Sequence, residues 1–308
     1  MSNNIELAVL ILTFNEEIHI RRCIESLQPI SKSIFVIDSY STDSTVEMCE
    51  SLGVKVLQRS WKNYADQFQW GIDNCPFDTE WLMRMDADEY VEVDLAHEIP
   101  IKLRDATESV AGFNIRRKYY FLGKWIKHGA VYPLHLLRIW RVNEGKIEDR
   151  WMDEHIVVTS SGSVGGLDGH IVDDNLNSTH WWTQKHNDYA DREMIDILNK
   201  KYKLFDNGET NDQRHSSLQS KIKRVVKEQI YSGLPIFVRP LIYFLYRYFL
   251  RLGFLDGVRG FAFHYFQGYW YRSLVDLRVY EVEMSLKSMA TNRERIEKIE
   301  EITGLKLS

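Results

Sequence analysis

The chain has 308 residues, of which 44% are hydrophobic and 27% charged, and its net charge at pH 7 is −5. This length allows one large domain or two modest ones, and the acidic balance argues against a protein that binds nucleic acid through overall charge. Its three cysteines lack metal-ligand spacing, which favours buried thiols in a reducing compartment. The first apolar run, Leu7–Leu12, is too short for a signal peptide and follows no basic region, so we expect a cytoplasmic protein.

Strand and helix patterns alternate near the N-terminus. The predicted strands are Leu7–Leu12, Ile34–Ile37, Val54–Leu57 and Trp81–Met85. Each run is mostly apolar, as expected for parallel strands that are buried on both faces. Asn15, Asp43 and Asn63 each precede apolar residues at helical spacing, so we expect them to be helix N-caps. This alternation predicts an α/β fold with a doubly wound, mostly parallel sheet.

Three acids follow the last of these strands: Asp86, Asp88 and Glu89. Right-handed crossovers place the carboxyl ends of parallel strands along one edge, so Asp86 should lie near Thr13 and Asp38. An Asp-x-Asp sequence alone is also typical of a solvated turn, but three polar strand ends in one crevice favour a metal–diphosphate site. The chain contains neither G-x-G-x-x-G nor G-x-x-x-x-G-K-[ST], which argues against a dinucleotide-binding dehydrogenase or a P-loop enzyme.

Several stretches resemble one known family. They are Thr13–Glu17, Asp38–Thr45, Ala65–Gln67, Asp86–Glu89, Phe121–Trp125, Leu137–Arg141, Asp153–His155 and Lys185–Ala190. Together they resemble glycosyltransferase family 2, which has the GT-A fold, and within it the bacterial group that contains lipopolysaccharide inner-core glucosyltransferases. The resemblance implies a catalytic GT-A domain over residues 1–180 and an α-helical C-terminal region over residues 181–308. None of the motifs identifies the sugar.

The resemblance also implies roles for individual polar residues. The residues that would line the nucleotide-sugar pocket are Thr13, Glu16, Asp38, Gln67 and Asp86. Asp38 would bind the uracil or ribose, Asp86 the ribose, and Asp88 would coordinate Mg²⁺ or Mn²⁺ on the diphosphate. A cation there would neutralise the charge that develops on the leaving nucleoside diphosphate. The chain departs from the family at Phe68 and Gln69, which stand in place of a basic residue and an asparagine.

An inverting transfer needs a carboxylate that takes the proton of the attacking acceptor hydroxyl. By resemblance to the His-Glu-His stretch of related members, Glu154 is the first choice for this base and Asp153 the second. The alternative is that both acids face solvent at the start of the predicted strand Ile156–Val158.

Three arginines interrupt predicted strands, one in Trp81–Met85 and two in a further predicted strand, Leu134–Val142. Arg84 is expected either to pair with an acid near the site or to lie toward a sheet edge. Arg138 and Arg141 are three residues apart, hence on opposite faces of a strand, and we expect surface ion pairs unless one of them meets a phosphate. Three histidines are interpreted as structural or acceptor-contacting groups and not as metal ligands: His128, His155 and His170.

The last third of the chain is predicted to be helical. A long helix is expected over residues 182–205 and a charged one over 292–306, with an amphipathic segment over 216–230. Residues 234–271 mix aromatic and aliphatic side chains with arginines that are too frequent for a spanning helix. This mixture is typical either of helices in a membrane interface or of a subdomain that packs on the catalytic core or on a second subunit.

The resemblance, together with these residues, implies a metal-dependent, inverting and non-processive glycosyltransferase. It would move one sugar from a nucleotide sugar, with UDP as the expected nucleotide, to a precursor of lipopolysaccharide, O-antigen or a related surface glycan. The Gln-x-x-Arg-Trp signature of processive members is absent from the chain. A sugar-phosphate nucleotidyltransferase and a catalytically degenerate scaffold at the membrane are the alternatives. The expected partners are the donor, a glycan or lipid-linked acceptor, the inner membrane and a second copy of the chain, but no nucleic acid.

Overall fold

The computed structural model describes residues 6–148, 155–205 and 234–307. Within them the chain divides into two compact units. The first comprises residues 6–127, 131–148 and 155–176, and the second comprises residues 128–130, 177–205 and 234–307.

The first unit begins with strands and helices in alternation. In chain order they are β1 (Leu7–Thr13), α1 (Ile20–Leu27), β2 (Ser33–Asp38), α2 (Thr45–Ser51), β3 (Lys55–Gln58), α3 (Tyr64–Asn74) and β4 (Trp81–Asp86). As predicted, Asn63 is the N-cap of α3, and its side chain accepts a 2.7 Å hydrogen bond from the Asp66 N–H. The prediction for Asn15 is wrong, because α1 begins only at Ile20 and Asn15 adopts a left-handed backbone with φ of +56°.

The predicted cap Asp43 lies one residue before the start that the structure gives to α2. Ser44 is the N-cap of this helix and makes no side-chain capping hydrogen bond. The Asp43 carboxylate instead accepts from the Thr45 N–H at 3.0 Å and from the Thr45 hydroxyl at 2.6 Å. The helix start is therefore stabilised by Asp43 from a position outside the first turn.

The rest of the first unit adds strands in both directions. They are β5 (Glu89–Val91), β6 (Val110–Phe121), β7 (Lys124–Trp125), β8 (Leu134–Arg141), β9 (Gly145–Ile147), β10 (Ile156–Val158) and β11 (Ser163–Asp174), with α4 (Val93–Arg104) between β5 and β6. The sequence pattern does not predict β11, because three glycines interrupt its apolar residues. One of them, Gly169, allows close packing on α4, since a Cβ there would lie 2.4 Å from Leu95 Cα.

The strand order of the main sheet is β3-β2-β1-β4-β8-β6-β11-β5, with β7 paired to β6. Strands β1 to β4 pair in parallel, as the sequence predicts. Strand β8 runs antiparallel between β4 and β6, and β11 is parallel to β6 but antiparallel to β5. This order brings the carboxyl end of β11 beside the connection between β4 and β5.

Apolar side chains cover both faces of the sheet. Val9 joins a cluster with Ile24 of α1, whereas its neighbour Leu10 joins a different cluster with Phe68 of α3. Successive residues of a strand point to opposite faces, so a strand that is buried on both faces is apolar throughout. The three cysteines are free and buried, as predicted: Cys23, Cys49 and Cys75.

The second unit is built from helices. They are α5 (Thr179–Tyr202), α6 (Val238–Leu245), α7 (Gly257–Phe263), α8 (Tyr271–Leu286) and α9 (Asn292–Thr303). π-Helical turns prolong α6 over Tyr246–Leu250 and α7 over His264–Trp270. None of the helices in the described residues combines the length and the apolar composition that crossing a membrane requires.

The predicted helices 182–205 and 292–306 correspond to α5 and α9, with shifted ends. Helix α5 begins earlier because the Ser178 side chain caps it, and it stops where Lys203 turns left-handed with φ of +53°. Helix α9 ends at Gly304, which has φ of +70°. The predicted amphipathic segment 216–230 lies outside the described residues.

Candidate active site

The carboxyl ends of β1, β2 and β4 lie side by side, because β1 pairs in parallel with both neighbours. Thr13 is in register with Asp38, and Leu12 is in register with Asp86. The Thr13 hydroxyl donates a 3.0 Å hydrogen bond to Asp38 Oδ1, and both residues are buried. The structure therefore brings together the three strand ends that the sequence predicts to converge.

Asp38 accepts hydrogen bonds at both carboxylate oxygens. In addition to Thr13, the Ser41 hydroxyl donates to Oδ1 at 2.5 Å. The Ser41 N–H and Gln58 Nε2 donate to Oδ2 at 2.8 Å and 3.0 Å. A carboxylate has about four acceptor positions, so the protein uses this side chain fully. Asp38 thus fixes the loop after β2, and a nucleoside could bind it only in exchange for one of these donors.

The segment after β1 is attached to the same loop. Asn15 Oδ1 accepts from the Thr42 N–H at 2.8 Å, and the Asn15 N–H donates to Ser41 Oγ at 2.8 Å. The Glu16 N–H donates to Thr45 Oγ1, also at 2.8 Å. These bonds explain why Asn15 binds the loop after β2 and does not cap a helix.

The Glu16 carboxylate is oriented by a buried histidine, His19. Glu16 Oε2 lies 2.6 Å from His19 Nδ1, and the Leu176 N–H donates to His19 Nε2 at 2.8 Å. Because Nε2 accepts this hydrogen bond, a neutral imidazole carries its proton on Nδ1. The Nδ1–H then donates a hydrogen bond to the Glu16 carboxylate. Sequence reasoning missed His19, since its partner Leu176 is far away in the chain.

Asp86 is surrounded by donors and cations. Its Oδ1 accepts from the Tyr64 hydroxyl at 2.7 Å, and its Oδ2 accepts from Arg138 Nη2 at 3.1 Å. Arg84 Nε lies 3.6 Å from Asp86 Oδ1, and its guanidinium carbon lies 4.5 Å from the centre of the Tyr64 ring. Burial opposes ionisation, but the Arg84 and Arg138 guanidinium groups lower the pKa of Asp86 well below its ordinary value. Of the two alternatives for Arg84, pairing near the site is the one observed.

Glu89 points into the core. Its side chain is 1% exposed; Oε1 accepts from Arg138 Nη2 at 2.5 Å, and Oε2 accepts from the Asp86 N–H at 3.0 Å. Burial raises the pKa of Glu89 to about 7, although the Arg138 charge opposes this. Arg138 is therefore a buried bridge between two acids and not the surface ion pair expected from sequence, whereas Arg141 does pair with Glu80.

Asp88, in the turn between β4 and β5, is the acid that best fits a divalent cation. Its Oδ2 accepts a 2.9 Å hydrogen bond from Asn175 Nδ2, the one bond to this carboxylate within the described residues. It thus keeps acceptor positions for a cation, whereas both oxygens of Asp86 are engaged. Mg²⁺ typically takes one or two carboxylates and fills its remaining positions with water and phosphate oxygens.

The end of β11 adds two acids that sequence reasoning missed. Asp173 is in register with Glu89, and the Asp174 N–H donates to the Asp88 carbonyl at 3.2 Å. Burial, together with the charges of Asp88 and Glu89, raises the pKa of Asp173 to about 8. The signal was present in the sequence, since residues 171–175 read Ile-Val-Asp-Asp-Asn and repeat the pattern of an apolar strand that ends in acids.

Gln67 stabilises the loop that carries Asp38. It is fully buried on α3, and its Nε2 donates to Ser39 Oγ at 3.2 Å and to the Arg59 carbonyl at 3.3 Å. Its Oε1 is buried and has no hydrogen-bond partner among the described residues. Because Ser39 follows Asp38 directly, Gln67 helps to hold the loop in which Asp38 lies.

A second group of potential metal ligands consists of Glu92, Asp94 and His170, which bring one ligand atom each within 4.8 Å of one another. His170 Nδ1 lies 3.0 Å from Asp94 Oδ2, and the Tyr132 hydroxyl lies 2.9 Å from His170 Nε2. The Lys118 ammonium lies 2.5 Å from Glu92 Oε2 and already compensates its charge. This group is therefore best described as an ion-pair network.

The two candidates for the catalytic base, Glu154 and Asp153, lie outside the described residues. The described chain resumes at His155, whose carbonyl accepts a 2.9 Å hydrogen bond from the Glu148 N–H. Strand β10 follows and pairs with β9. The role of the two acids stays a prediction.

Known proteins share parts of this chain. The sequence profile described as "Glycosyl transferase family 2" matches residues 8–168, just over half of the chain. The lipopolysaccharide core biosynthesis glycosyltransferase LpsC of Rhizobium meliloti (strain 1021) is 28% identical over 170 residues, which cover 54% of this chain and 61% of that protein. An uncharacterized glycosyltransferase of Rickettsia bellii (strain RML369-C) is 38% identical over 94 residues, 30% of this chain and 31% of that protein. The matched segments cover less than two thirds of either relative.

Among solved structures, glucosyl-3-phosphoglycerate synthase from Mycobacterium tuberculosis, in complex with Mn²⁺, UDP and glucosyl-3-phosphoglycerate, is similar over 38% of this chain and 45% of that chain. The identity is 17% and the TM-score 0.30, too low to transfer a ligand or a substrate. The family profile, in contrast, spans the chain from β1 into β11 and includes the strand ends described above. The chain therefore belongs to glycosyltransferase family 2, and its first unit has the GT-A fold of that family.

Proposed function

We propose that this protein is a metal-dependent, inverting glycosyltransferase that moves one sugar from a nucleotide sugar to an acceptor hydroxyl. The observation that carries the proposal is the contrast between two neighbouring acids. Asp86 is engaged by Tyr64 and Arg138, whereas Asp88 makes one hydrogen bond among the described residues, from Asn175. An acid with open acceptor positions suits a cation, and an oriented, ionised acid suits the hydroxyl groups of a ribose.

In this proposal the donor is a UDP-sugar. Thr13 and Glu16 line the nucleotide pocket, and Asp38 contacts the nucleoside by exchanging its Ser41 hydroxyl donor. Asp86 contacts the ribose, and Gln67 holds the Asp38 loop in place. Mg²⁺ or Mn²⁺, held by Asp88, would neutralise the charge on the leaving diphosphate.

The acceptor in this proposal is a precursor of lipopolysaccharide, O-antigen or a related surface glycan. The name of the Rhizobium meliloti relative supports this class of acceptor. A protein with this role works in the cytoplasm, at the inner face of the membrane where a lipid-linked acceptor is presented. Glu154 takes the proton of the acceptor hydroxyl, with Asp153 as the second candidate.

The metal role of Asp88 is tested by calorimetric titration with UDP, with and without Mn²⁺. For the wild type we expect Mn²⁺ to strengthen UDP binding by about tenfold or more, which corresponds to about 1.4 kcal/mol of charge neutralisation. Asp88→Ala should lose this dependence, whereas Asp105→Ala, which removes an exposed acid at the end of α4, should keep it. Equal Mn²⁺ dependence in Asp88→Ala and wild type would contradict the metal role of Asp88. A wild type that does not bind UDP would contradict the proposal that the donor is a UDP-sugar.

The base is tested with Glu154→Gln in an assay of UDP release from a panel of UDP-sugars. We expect UDP binding to persist while sugar transfer falls about 100-fold or more, because general-base catalysis contributes at least that much. Turnover of Glu154→Gln near the wild-type rate would contradict Glu154 as the base and favour Asp153. Pyrophosphate release from UTP and a sugar phosphate would instead identify a nucleotidyltransferase.

A further inference from the structure

Helices α6 and α7, with their π-helical extensions, form a helical hairpin over residues 238–270 of the second unit. The turn of the hairpin contains the 3-10 segment Gly253–Asp256. Between its two arms, the ring of Phe244 lies 6.1 Å from Phe261 and 6.2 Å from Tyr265. Ring contacts thus join the two arms of the hairpin, although Phe261 and Tyr265 are also partly open to solvent.

The tip of this hairpin, defined here as residues 249–259, exposes large apolar side chains. Leu250 is 76% exposed and Val258 is 86% exposed. The other exposed apolar side chains of the tip are Phe249, Leu252, Phe254 and Leu255. Single exposed apolar residues are ordinary on a soluble protein, but a group of this size marks an interaction surface.

The charges that the tip exposes are both positive. Arg251 and Arg259 are exposed, whereas Asp256, the one acid of the tip, is buried. The Asp256 carboxylate accepts a 2.9 Å hydrogen bond from the His128 N–H and lies 2.7 Å from His128 Nδ1. The tip therefore presents apolar side chains and two cations to solvent, with no exposed acid among residues 249–259.

Buried contacts hold the tip in shape. His264 is fully buried, and a Cβ on Gly253 would come within 2.6 Å of its ring. Arg247, also buried, donates a 3.0 Å hydrogen bond to the Gly129 carbonyl. Leu252 adopts a left-handed backbone with φ of +61° where the chain reverses. Because the turn is already fixed, little conformational entropy is lost when its outer side chains bind a surface.

We propose that the hairpin tip docks into the interface of a membrane that contains anionic lipids. The apolar side chains enter the boundary between headgroups and acyl chains, and Arg251 and Arg259 face the lipid phosphates. A second copy of the chain is the less suitable occupant, because a twofold contact through the tip would set these arginines against their own like charges. Membrane docking does not itself require the proposed function. The proposed function supplies only its purpose, which is to bring the transferase to a lipid-linked acceptor.

The test is co-sedimentation of the full chain with vesicles of phosphatidylcholine, with and without phosphatidylglycerol, at low salt. The variants are Leu250→Ser/Val258→Ser and Arg251→Gln/Arg259→Gln, with Leu277→Ser/Met284→Ser, on the exposed surface of α8, as the matched control. We expect wild type to bind the mixed vesicles and the serine variant of the tip to bind at least about tenfold more weakly. The glutamine variant should bind about 25-fold more weakly, since each arginine near an anionic surface contributes about fivefold. The control should stay within about twofold of wild type.

Calorimetric UDP titration on the same proteins separates this inference from the proposed function. Tip variants that bind UDP normally but lose the vesicles support docking, whereas wild type that binds vesicles but not UDP contradicts the proposed function alone. Docking is overturned if wild type does not sediment with anionic vesicles, or if the tip variants sediment as it does. Docking is also overturned if the wild type does not bind vesicles but forms a dimer, and if Leu250→Ser/Val258→Ser dissociates that dimer.

Discussion

Arg138 contacts Asp86 and Glu89 through the same nitrogen, Nη2, and only 3% of its surface is exposed. Together with Arg84 and the Tyr64 hydroxyl, it keeps Asp86 ionised and oriented, while Asp88, two residues further on, stays outside this network. These three groups thus give two chemically identical side chains different surroundings. In our proposal these surroundings separate the contact with the ribose from the contact with the metal.

Replacement of this arginine should destabilise the fold. Arg138→Met removes the nearest cation of Glu89, which keeps only Arg117 at 4.0 Å, and one of the two cations of Asp86. Breaking a buried pair in this way costs about 3–5 kcal/mol. Arg104→Met is the matched control, because Arg104 and Asp105 form an exposed pair of the kind worth about 0–1 kcal/mol. Urea unfolding measures the free energy of unfolding of both variants. Equal losses would show that Arg138 does not stabilise the acids as described.

The residues of the site divide into those that sequence could place and those that it could not. Thr13, Asp38 and Asp86 were predictable together, because parallel strands with right-handed crossovers bring their carboxyl ends to one edge. Arg138 and Asn175 reach Asp86 and Asp88 across 52 and 87 residues of chain. Which distant strands pair depends on the packing of the whole sheet, and no local pattern encodes it.

At the scale of elements, the strands that are buried on both faces were the predictable ones. A continuous apolar run gives β1, a run that is apolar except for Arg84 gives β4, and the capping role of Asn63 is equally local. The predicted capping role of Asn15 is wrong because its side chain hydrogen-bonds to the loop after β2. The helical pattern of the sequence does not reveal this contact. Strand β11 was missed because its glycines serve close packing, as Gly169 does against Leu95.

At the scale of the whole molecule, the stability should depend on pH through His264. This ring is fully buried, and neither nitrogen has a hydrogen-bond partner among the described residues. Burial, with the charges of Arg247 and His128 and against that of Asp256, lowers the pKa of His264 to about 4. Between about pH 6.5 and pH 4 the unfolded chain binds a proton at this position and the folded chain does not, so acid favours unfolding.

The expected loss from this one group is about 3 kcal/mol on going from neutral pH to pH 4. His264→Leu removes the titrating group, so its free energy of unfolding should fall less with acid than that of wild type. His180→Leu, at an exposed position of α5, is the control and should follow wild type. Urea unfolding at a series of pH values measures the difference; parallel curves for wild type and His264→Leu would contradict the assignment.

The contact between His128 and Asp256 also constrains the order in which the protein folds during its synthesis. Residues 128–130 belong to the second unit, although residues of the first unit precede and follow them in the chain. Asp256 lies 128 residues after its partner, so at about 5–20 residues per second it leaves the ribosome roughly 6–25 s later. The second unit cannot be completed before most of the chain has been synthesised. A fragment that stops at the end of the first unit would carry residues 128–130 without the side chains to which they bind.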